Sequence, residues 1–187
     1  GEHEHGWPKT FVDAAAALDA LRTVAAAHKL DLDSITLLGH SAGGQLALWL
    51  AARPGFAPEH PLFSPEPLPV GRVLALAPIT DLAAYAREDE GCPAGARRVL
   101  GGAPGEQPAR YRAVSPVDNL PGSTRVDLVH ADGDRIVPLD HSELFARRMK
   151  AAGGHARVHR LGPPAEHFDV LLTDGAAWRL LKGLLTD

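Results

Sequence analysis

The sequence predicts an α/β fold in which a parallel β-sheet of about four strands is flanked by helices. Three observations lead to this prediction. Short apolar runs that are typical of buried strands alternate with longer helical patterns along the chain. A tight glycine-rich turn joins the first of these runs to a helix at residues 39–44. No internal repeat or linker divides the sequence, so we expect a single domain over residues 1–187.

The first predicted element is a helix over residues 9–29. Its apolar side chains recur at helical spacing, and its many alanines favour both helix formation and close packing on a sheet. Thr10 is the predicted N-cap, with Asp13 as its partner three residues later. A buried strand is expected at residues 35–38, and the next helix begins at Ala42.

Proline residues then separate the later elements. Residues 51–72 contain six prolines and are expected to form a surface loop. Residues 78–122 are predicted to form an irregular, partly helical excursion that either caps the functional site or is a solvated connector. The other expected elements are, in chain order, a strand over residues 73–77, a strand over 126–130, a helix over 140–152, an edge strand over 156–161 and a terminal helix from Asp174.

Composition and charge exclude several classes of protein. The net charge of −4 at pH 7 gives no indication of binding to nucleic acid or to an anionic membrane. A single cysteine, Cys92, excludes an intrachain disulfide and a cysteine-based metal cage. The sequence contains neither a signal peptide nor a membrane-spanning apolar run, so we expect a cytoplasmic protein. We expect no metal and no cofactor, since His3 and His5 are more typical of solvated terminal side chains than of ligands.

The pattern Gly39-x-Ser41-x-Gly43 lies at the junction of the first strand and its helix. This pattern is typical of a nucleophile elbow, a sharp turn that exposes a reactive serine. Glycines on either side leave room for the strained turn and for the chains that pass close to it. The N–H groups at the start of the following helix favour a developing negative charge. The alternative interpretation is a strand–helix turn in which Ser41 is only the N-cap.

A nucleophilic serine requires a base, and the base requires a third group that orients it. In a parallel sheet such groups collect beyond the carboxyl ends of the strands. Ser41 follows the first predicted strand, Asp132 and Asp134 follow the third, and His167 lies in the loop after the fourth. The sequence therefore predicts a serine–histidine–aspartate site at this edge, with two candidate aspartates.

The other histidines have simpler interpretations. His40 is expected to pack under the elbow, and His130 is expected to have a structural role at the end of its strand. Four further histidines are expected at the surface, and these are His60, His141, His155 and His159.

Several motifs together resemble the α/β-hydrolase superfamily. They are residues 39–44, 130–138 and 166–168, with further similarity at residues 7–11 and 110–116. The resemblance covers essentially the whole chain, and the branch it is most similar to contains esterases, feruloyl esterases and kynurenine formamidases. It implies an α/β-hydrolase-type parallel sheet flanked by helices and an activity that needs no cofactor.

The resemblance also implies roles for individual residues. Ser41 would be the nucleophile, His167 the general base, and the Ala42 backbone N–H one donor of the oxyanion hole. Asp134 would be the acid, because the family's acid usually sits three residues before a Val-Pro pair, as Asp134 does here. Asp132 is the alternative acid.

By the same resemblance, the chain lacks the family's early strands. The sheet would be N-terminally truncated, and the glycine-rich loop that supplies the second oxyanion donor would be missing. One edge of the first strand would then have no partner within the chain. Because exposed apolar edges pair with other chains, we expect a homo-oligomer that forms through this edge.

The expected activity is hydrolysis of small-molecule carboxylic esters through an acyl-enzyme, with aryl, feruloyl or polyester-type esters as candidate substrates. The same triad would also suit an arylformamidase or a peptidase similar to prolyl oligopeptidase, because the leaving-group preference depends on loops and pocket shape. A third alternative is a truncated remnant with little or no activity, since the loss of an oxyanion donor weakens catalysis.

Overall fold

A computed structural model describes residues 6–186 of the chain. The strands in this range are β1 (Thr36–His40), β2 (Arg72–Leu76), β3 (Arg125–Ala131) and β4 (Ala156–Leu161). The helices are α1 (Lys9–Asp19), α2 (Leu21–His28), α3 (Ala42–Ala52), α4 (Leu82–Tyr85), α5 (Pro93–Leu100), α6 (Pro108–Val114), α7 (Asp140–Ala151) and α8 (Ala176–Thr186), and short 3₁₀ turns cover Arg53–Gly55 and Asp169–Leu171. None of the described helices combines the length and the apolar character that crossing a membrane requires.

The four strands form one parallel sheet in the order β1-β2-β3-β4. Leu37 of β1 pairs with Val73 of β2, and Val73 in turn pairs with Val126 of β3. The predicted α/β fold with four parallel strands is confirmed, and β4 lies at a sheet edge as expected. Because the strands are parallel, the loops that follow them meet at one edge of the sheet, and the candidate site lies there.

Alternate residues of the central strands face two separate apolar layers. One layer lies against α3 and α7, which contribute the fully buried side chains of Trp49 and Phe145. The other layer lies against α8, where Leu181 joins Leu74 and Val129 of the sheet. Both faces of β2 and β3 are therefore covered, and this explains why β2 is a continuous apolar run in the sequence rather than an alternating one. In β3 the buried side chains of Asp127 and His130 interrupt the apolar run.

The helix expected over residues 9–29 is two helices, α1 and α2, with a break at Ala20. Ala20 keeps helical backbone angles (φ −62°, ψ −17°). The apolar pattern therefore continues at helical spacing through Ala20, and the sequence gives no indication of the break. The first helix begins directly after Pro8, so Thr10 lies inside it and the N-cap prediction is wrong. No side chain of α2 is buried, although the sequence pattern suggested a core face there.

A buried ion pair joins the end of α1 to the residue that follows α3. Arg53 donates from Nη1 and Nη2 to the two oxygens of Asp19, at 3.1 and 2.6 Å. The guanidinium is almost fully buried, and Asp19 Oδ1 also accepts a bond from the Leu68 N–H at 2.9 Å. Burial raises the pKa of Asp19, but the bonds from Arg53 and Leu68 outweigh it and hold the pKa below its usual value. This pair anchors the helices to the loop before β2.

Replacing Asp19 with alanine should lower the free energy of unfolding by about 3 kcal/mol, because the buried Arg53 charge then lacks its partner. Asp13→Ala on the same helix is the matched control. Asp13 and its partner Lys9 are both exposed, and such pairs contribute less than about 1 kcal/mol. Urea unfolding measures both variants, and equal losses of stability would contradict the structural role of the buried pair.

The outer edge of β1 carries an exposed apolar side chain. Leu38 is 57% exposed, although its neighbour in register, Leu74, is completely buried. The apolar layer under α8 includes Leu74 but does not extend to Leu38. Among residues 6–186, no strand pairs with this outer edge of β1. Formation of a homo-oligomer through the edge stays a prediction.

Candidate active site

Ser41 occupies a strained turn between the last residue of β1 and the first residue of α3. Its φ of +54° and ψ of −116° lie in a region that side chains other than glycine rarely adopt. Three backbone bonds hold the turn: Ser41 N–H donates to Leu76 O at 2.8 Å, and Ser41 O accepts from the N–H groups of Gln45 at 3.0 Å and Ile79 at 3.4 Å. The serine hydroxyl does not cap the helix. Ser41 therefore lies on a strained strand–helix turn and does not act as a simple N-cap.

The glycines around Ser41 differ in how closely other atoms approach them. A Cβ on Gly39 would lie 2.2 Å from the carbonyl oxygen of Gly43, closer than any real contact. A Cβ on Gly44 would lie 2.9 Å from Pro78 Cβ, whereas one on Gly43 would meet nothing within 4 Å. The expectation that flanking glycines give room therefore holds for Gly39 and is wrong for Gly43. The second close approach is at Gly44.

We expect Gly39→Ala to destabilise the elbow, because the clash is with backbone atoms that cannot rotate away. Gly43→Ala is the matched control in the same turn and should change the free energy of unfolding by no more than about 1 kcal/mol. Thermal unfolding of both variants, followed by circular dichroism, makes the comparison. If the two variants unfolded at the same temperature, the packing assigned to Gly39 would be wrong.

In the structure Asp134 contacts His167, whereas Asp132 does not. Asp134 Oδ2 lies 2.6 Å from His167 Nδ1, and both side chains are buried. Asp134 Oδ1 accepts bonds from the N–H groups of Ile136 and Val137, at 2.9 and 2.8 Å. Asp132 Oδ1 accepts instead from Arg160 Nε at 2.8 Å, on the exposed side of the loop. The geometry therefore favours Asp134 as the partner of the histidine.

The carboxylate of Asp134 is strongly stabilised in its charged form. Burial raises its pKa, but the polar contact with His130 and the hydrogen bonds from His167 and the Val137 N–H outweigh burial and hold the pKa well below its usual value. A depressed carboxyl pKa adds stability above the unfolded value of about 3.9, and that stability is lost as the pH falls. Asp134 is thus a permanent anion at neutral pH, and it fixes the proton of His167 on Nδ1.

His40 contacts His167 directly. Its Nε2 lies 3.0 Å from the carbonyl oxygen of His167, and the two rings are 4.5 Å apart between centroids. Phe168 packs edge-on against His167 at 5.0 Å. Burial lowers the pKa of His40, which favours its neutral form. The sequence suggested packing under the elbow, but His40 lies beside the cavity and supports the loop of His167. The sequence feature that could have indicated this position is that His40 comes at the carboxyl end of β1.

Three of the four histidines predicted at the surface are partly or fully buried, and only His155 is exposed. His141 is the clearest case, because it is buried and its Nδ1 accepts a bond from the Thr80 N–H at 3.2 Å. His159 binds Asp127 Oδ1 at 2.8 Å. Their partners come from distant parts of the chain, so the local sequence gave no indication of burial.

Ser41 and His167 both line a cavity of about 420 Å³. No aspartate, glutamate, lysine or arginine lines it among the described residues. Part of its wall comes from α5, which lies within residues 78–122, and the role of that segment as a cap stays a prediction. The apolar part of the wall includes Phe11, Leu46, Ile79, Val99, Ile136 and Phe168.

The first residue of α3, Ala42, also lines the cavity. The first N–H groups of a helix have no partner within it, and in residues 6–186 no backbone acceptor outside the helix is bonded to Ala42 N–H. This donor is therefore available to a negative charge in the cavity. No hydrogen bond joins Ser41 Oγ to His167 in the described part of the chain. Such contacts are often loose without substrate and tighten when it binds.

A metal centre is not evident in the part of the chain that the structure describes. Among residues 6–186, no group of three or more histidine, cysteine, aspartate or glutamate side chains is arranged to hold an ion. His3 and His5 lie outside the described residues.

The BD-FAE family model matches residues 2–149, which is more than half of the chain. The chain belongs to the BD-FAE family. The matched range contains Ser41, Ala42 and Asp134 and ends before His167. A comparison with curated proteins gave no match.

Solved structures share the fold of this BD-FAE chain. A truncated carbohydrate esterase from gut microbiota has 20% identity and a TM-score of 0.78, over all of this chain and 70% of that one. The esterase Est2 of the planctomycete Thermogutta terrifontis, with bound propionate, has 26% identity and a TM-score of 0.69. That match covers 94% of the BD-FAE chain and 62% of Est2, so the chain spans less than two thirds of Est2. Another Est2 structure, 24% identical, is phosphonylated by sarin. These structural neighbours are esterases, and the fold is that of the α/β hydrolases.

Proposed function

We propose that this chain is a serine esterase that cleaves carboxylic esters whose acyl part is apolar and uncharged. The observation that carries the proposal is that Ser41, on its positive-φ turn, shares one cavity with a histidine that is bonded to a buried carboxylate. Esterase names among the structural neighbours support the same reaction. The apolar wall, free of charged side chains among the described residues, supports the choice of acyl group.

In the proposed reaction, Ser41 Oγ attacks the ester carbonyl carbon while His167 Nε2 takes the hydroxyl proton. Asp134 keeps the proton on Nδ1 of His167 and stabilises the imidazolium that forms. The carbonyl oxygen becomes an oxyanion and faces the Ala42 N–H. His167 returns its proton to the departing alcohol, which leaves an acyl group on Ser41. Water then attacks this acyl-enzyme with His167 as base, releasing the acid and restoring the serine.

A panel of p-nitrophenyl esters, with a matched anilide and an aryl formamide, tests this function. We expect release of p-nitrophenol from the esters by the purified chain and slower or no cleavage of the anilide and formamide. Preference for the formamide or anilide would favour an amidase instead. Absence of cleavage of every ester above the background of a heat-denatured sample would contradict the proposed function.

Gly95 offers a test of the acyl site. It lies on α5 and lines the cavity, and a Cβ there would meet nothing within 4 Å. Gly95→Leu should therefore place a bulky side chain at the cavity wall without a backbone clash. We expect kcat/KM for p-nitrophenyl octanoate to fall at least about tenfold relative to the acetate, because one misplaced methylene already costs that much in a tight pocket. Steady-state kinetics on the two esters give this ratio.

Gly183→Leu is the matched control for this substitution. Gly183 lies on the exposed side of α8, and a Cβ there also meets nothing within 4 Å. This variant should keep the wild-type octanoate-to-acetate ratio. A ratio in Gly95→Leu equal to that of the control would show that the acyl chain does not occupy this cavity.

A further inference from the structure

His130 lies near the carboxyl end of β3 and is completely buried. Its Nε2 lies 2.8 Å from the carbonyl oxygen of Val137 and 3.3 Å from Asp134 Oδ2. Both neighbours are acceptors only, so Nε2 must carry a proton. On the other side of the ring, Nδ1 lies 2.8 Å from the hydroxyl of Ser142 on α7. His130 is thus oriented by α7, and its Nε2–H donates to Val137 O while the same nitrogen lies 3.3 Å from the acid of the proposed triad.

We propose that His130 is a positioning residue for the triad, which holds the carboxylate of Asp134 in place by donating from Nε2 to the Val137 carbonyl and by the close polar contact of Nε2 with Oδ2. The proposal rests on the proposed esterase function for its kinetic consequence and on the observed contacts for its structural one. Proton transfer is not part of this role. Asp134 keeps its charge and His130 keeps its proton throughout.

The contacts of Asp134 explain why a further donor matters. Oδ1 is held by the N–H groups of Ile136 and Val137, but among residues 6–186 Oδ2 contacts only the side chains of His167 and His130. Without His130, Oδ2 would be held solely by the imidazole that has to move a proton. Val137 completes the arrangement, because its N–H donates to Asp134 while its carbonyl accepts from His130. These two bonds of Val137 therefore link His130 to the turn over residues 134–137.

Other titratable side chains surround this group from several elements. His40 lies at the end of β1, Asp132 follows β3, and His141 lies on α7, and each interacts electrostatically with His130. Tyr85 at the end of α4 interacts with Asp134. None of them forms a hydrogen bond to Asp134 Oδ2 in the described residues. His130 is thus the group whose removal changes the direct contacts of that oxygen.

His130→Leu removes the donor and keeps a side chain of similar bulk. We expect kcat on p-nitrophenyl butyrate to fall about 10- to 100-fold, as for the loss of comparable outer partners in other sites, with KM changed less than about twofold. The acid limb of the kcat/KM profile should move to higher pH, since Oδ2 then bears more negative charge and stabilises the imidazolium of His167. His130→Gln retains an N–H donor and should recover part of the lost kcat.

His159→Leu is the matched control, because His159 likewise contacts a buried carboxylate, that of Asp127, but on the face of the sheet under α8. This variant should lose stability and keep the wild-type kcat per folded molecule and the wild-type pH profile. Equal kcat values in His130→Leu and His159→Leu, after correction for the folded fraction, would overturn the proposal.

Proton NMR separates failure of this proposal from failure of the proposed function. The proton between His167 Nδ1 and Asp134 Oδ2, across 2.6 Å, should give a strongly downfield resonance even in an inactive protein. We expect His130→Leu to shift or broaden this resonance and His159→Leu to leave it in place. An unchanged resonance in His130→Leu would overturn the positioning role, whether or not the chain hydrolyses esters.

Discussion

Ser41→Ala is expected to lower kcat/KM on p-nitrophenyl esters by about 10⁴- to 10⁶-fold, the range seen when a triad nucleophile is removed. The physical reason is that alanine has no oxygen to form the acyl-enzyme, so only direct attack by water remains. The elbow itself should persist, because it is held by backbone bonds to Leu76 and Gln45 that do not involve the hydroxyl. Burst and steady-state kinetics on one ester measure both the rate and the acyl intermediate.

Gly43→Ala is the appropriate companion variant for this comparison. It alters the same turn by one methyl group and meets nothing within 4 Å, so it should keep activity within a few-fold of wild type. Residual activity in Ser41→Ala equal to that of wild type would mean that hydrolysis uses another group. If wild type and Ser41→Ala both hydrolysed the ester only at the uncatalysed rate, the result would favour the interpretation of the chain as an inactive remnant.

Asp134→Asn is expected to reduce kcat by about 10⁴-fold while leaving KM nearly unchanged, by analogy with the same change in other triads. Asparagine presents an N–H₂ group to His167 Nδ1, so this nitrogen becomes the acceptor and the proton moves to Nε2. The nitrogen that has to take the proton of Ser41 is then blocked. The two side chains have nearly the same volume, so the effect should appear in the chemistry rather than in substrate binding.

Asp132→Asn provides the internal control, because Asp132 lies two residues earlier and binds Arg160 at the surface. We expect its kcat to stay within about twofold of wild type. Since the sequence alone left both aspartates as candidates, this pair of variants decides between them. A larger loss of kcat in Asp132→Asn than in Asp134→Asn would reverse the assignment of the acid.

The order of strands and helices could be predicted from the sequence, because the buried strands are short apolar runs and the helices carry a regular apolar stripe. Proline and glycine residues likewise indicated the long loops, because their effect on the backbone is local. The approach to His167 of an aspartate in the loop after β3 could be predicted from chain order and from parallel topology, which brings the loops after the strands to one edge, whereas the choice of Asp134 over Asp132 came from the family resemblance. These features depend on local pattern or on one topological rule.

Other parts of the site depend on contacts that no local pattern encodes. Whether Gly39 or Gly43 is required depends on which carbonyl and which side chain pass close to the turn. The contact of His40 with the carbonyl of His167, and of His130 with Asp134, join residues through the folded sheet. His141 was expected at the surface for the same reason, since its partner Glu88 comes from a different loop.

Covalent labelling tests whether Ser41 is the nucleophile. The chain is treated with diethyl p-nitrophenyl phosphate, and the adduct is located by mass spectrometry of peptides. Attack by Ser41 Oγ displaces p-nitrophenolate and leaves a diethylphosphoryl group on the serine, with the hydroxyl proton passed to His167. We predict one adduct per chain, on the peptide that contains Ser41, and none in Ser41→Ala. An active protein with no adduct, or with its adduct on another residue such as Cys92, would contradict the account.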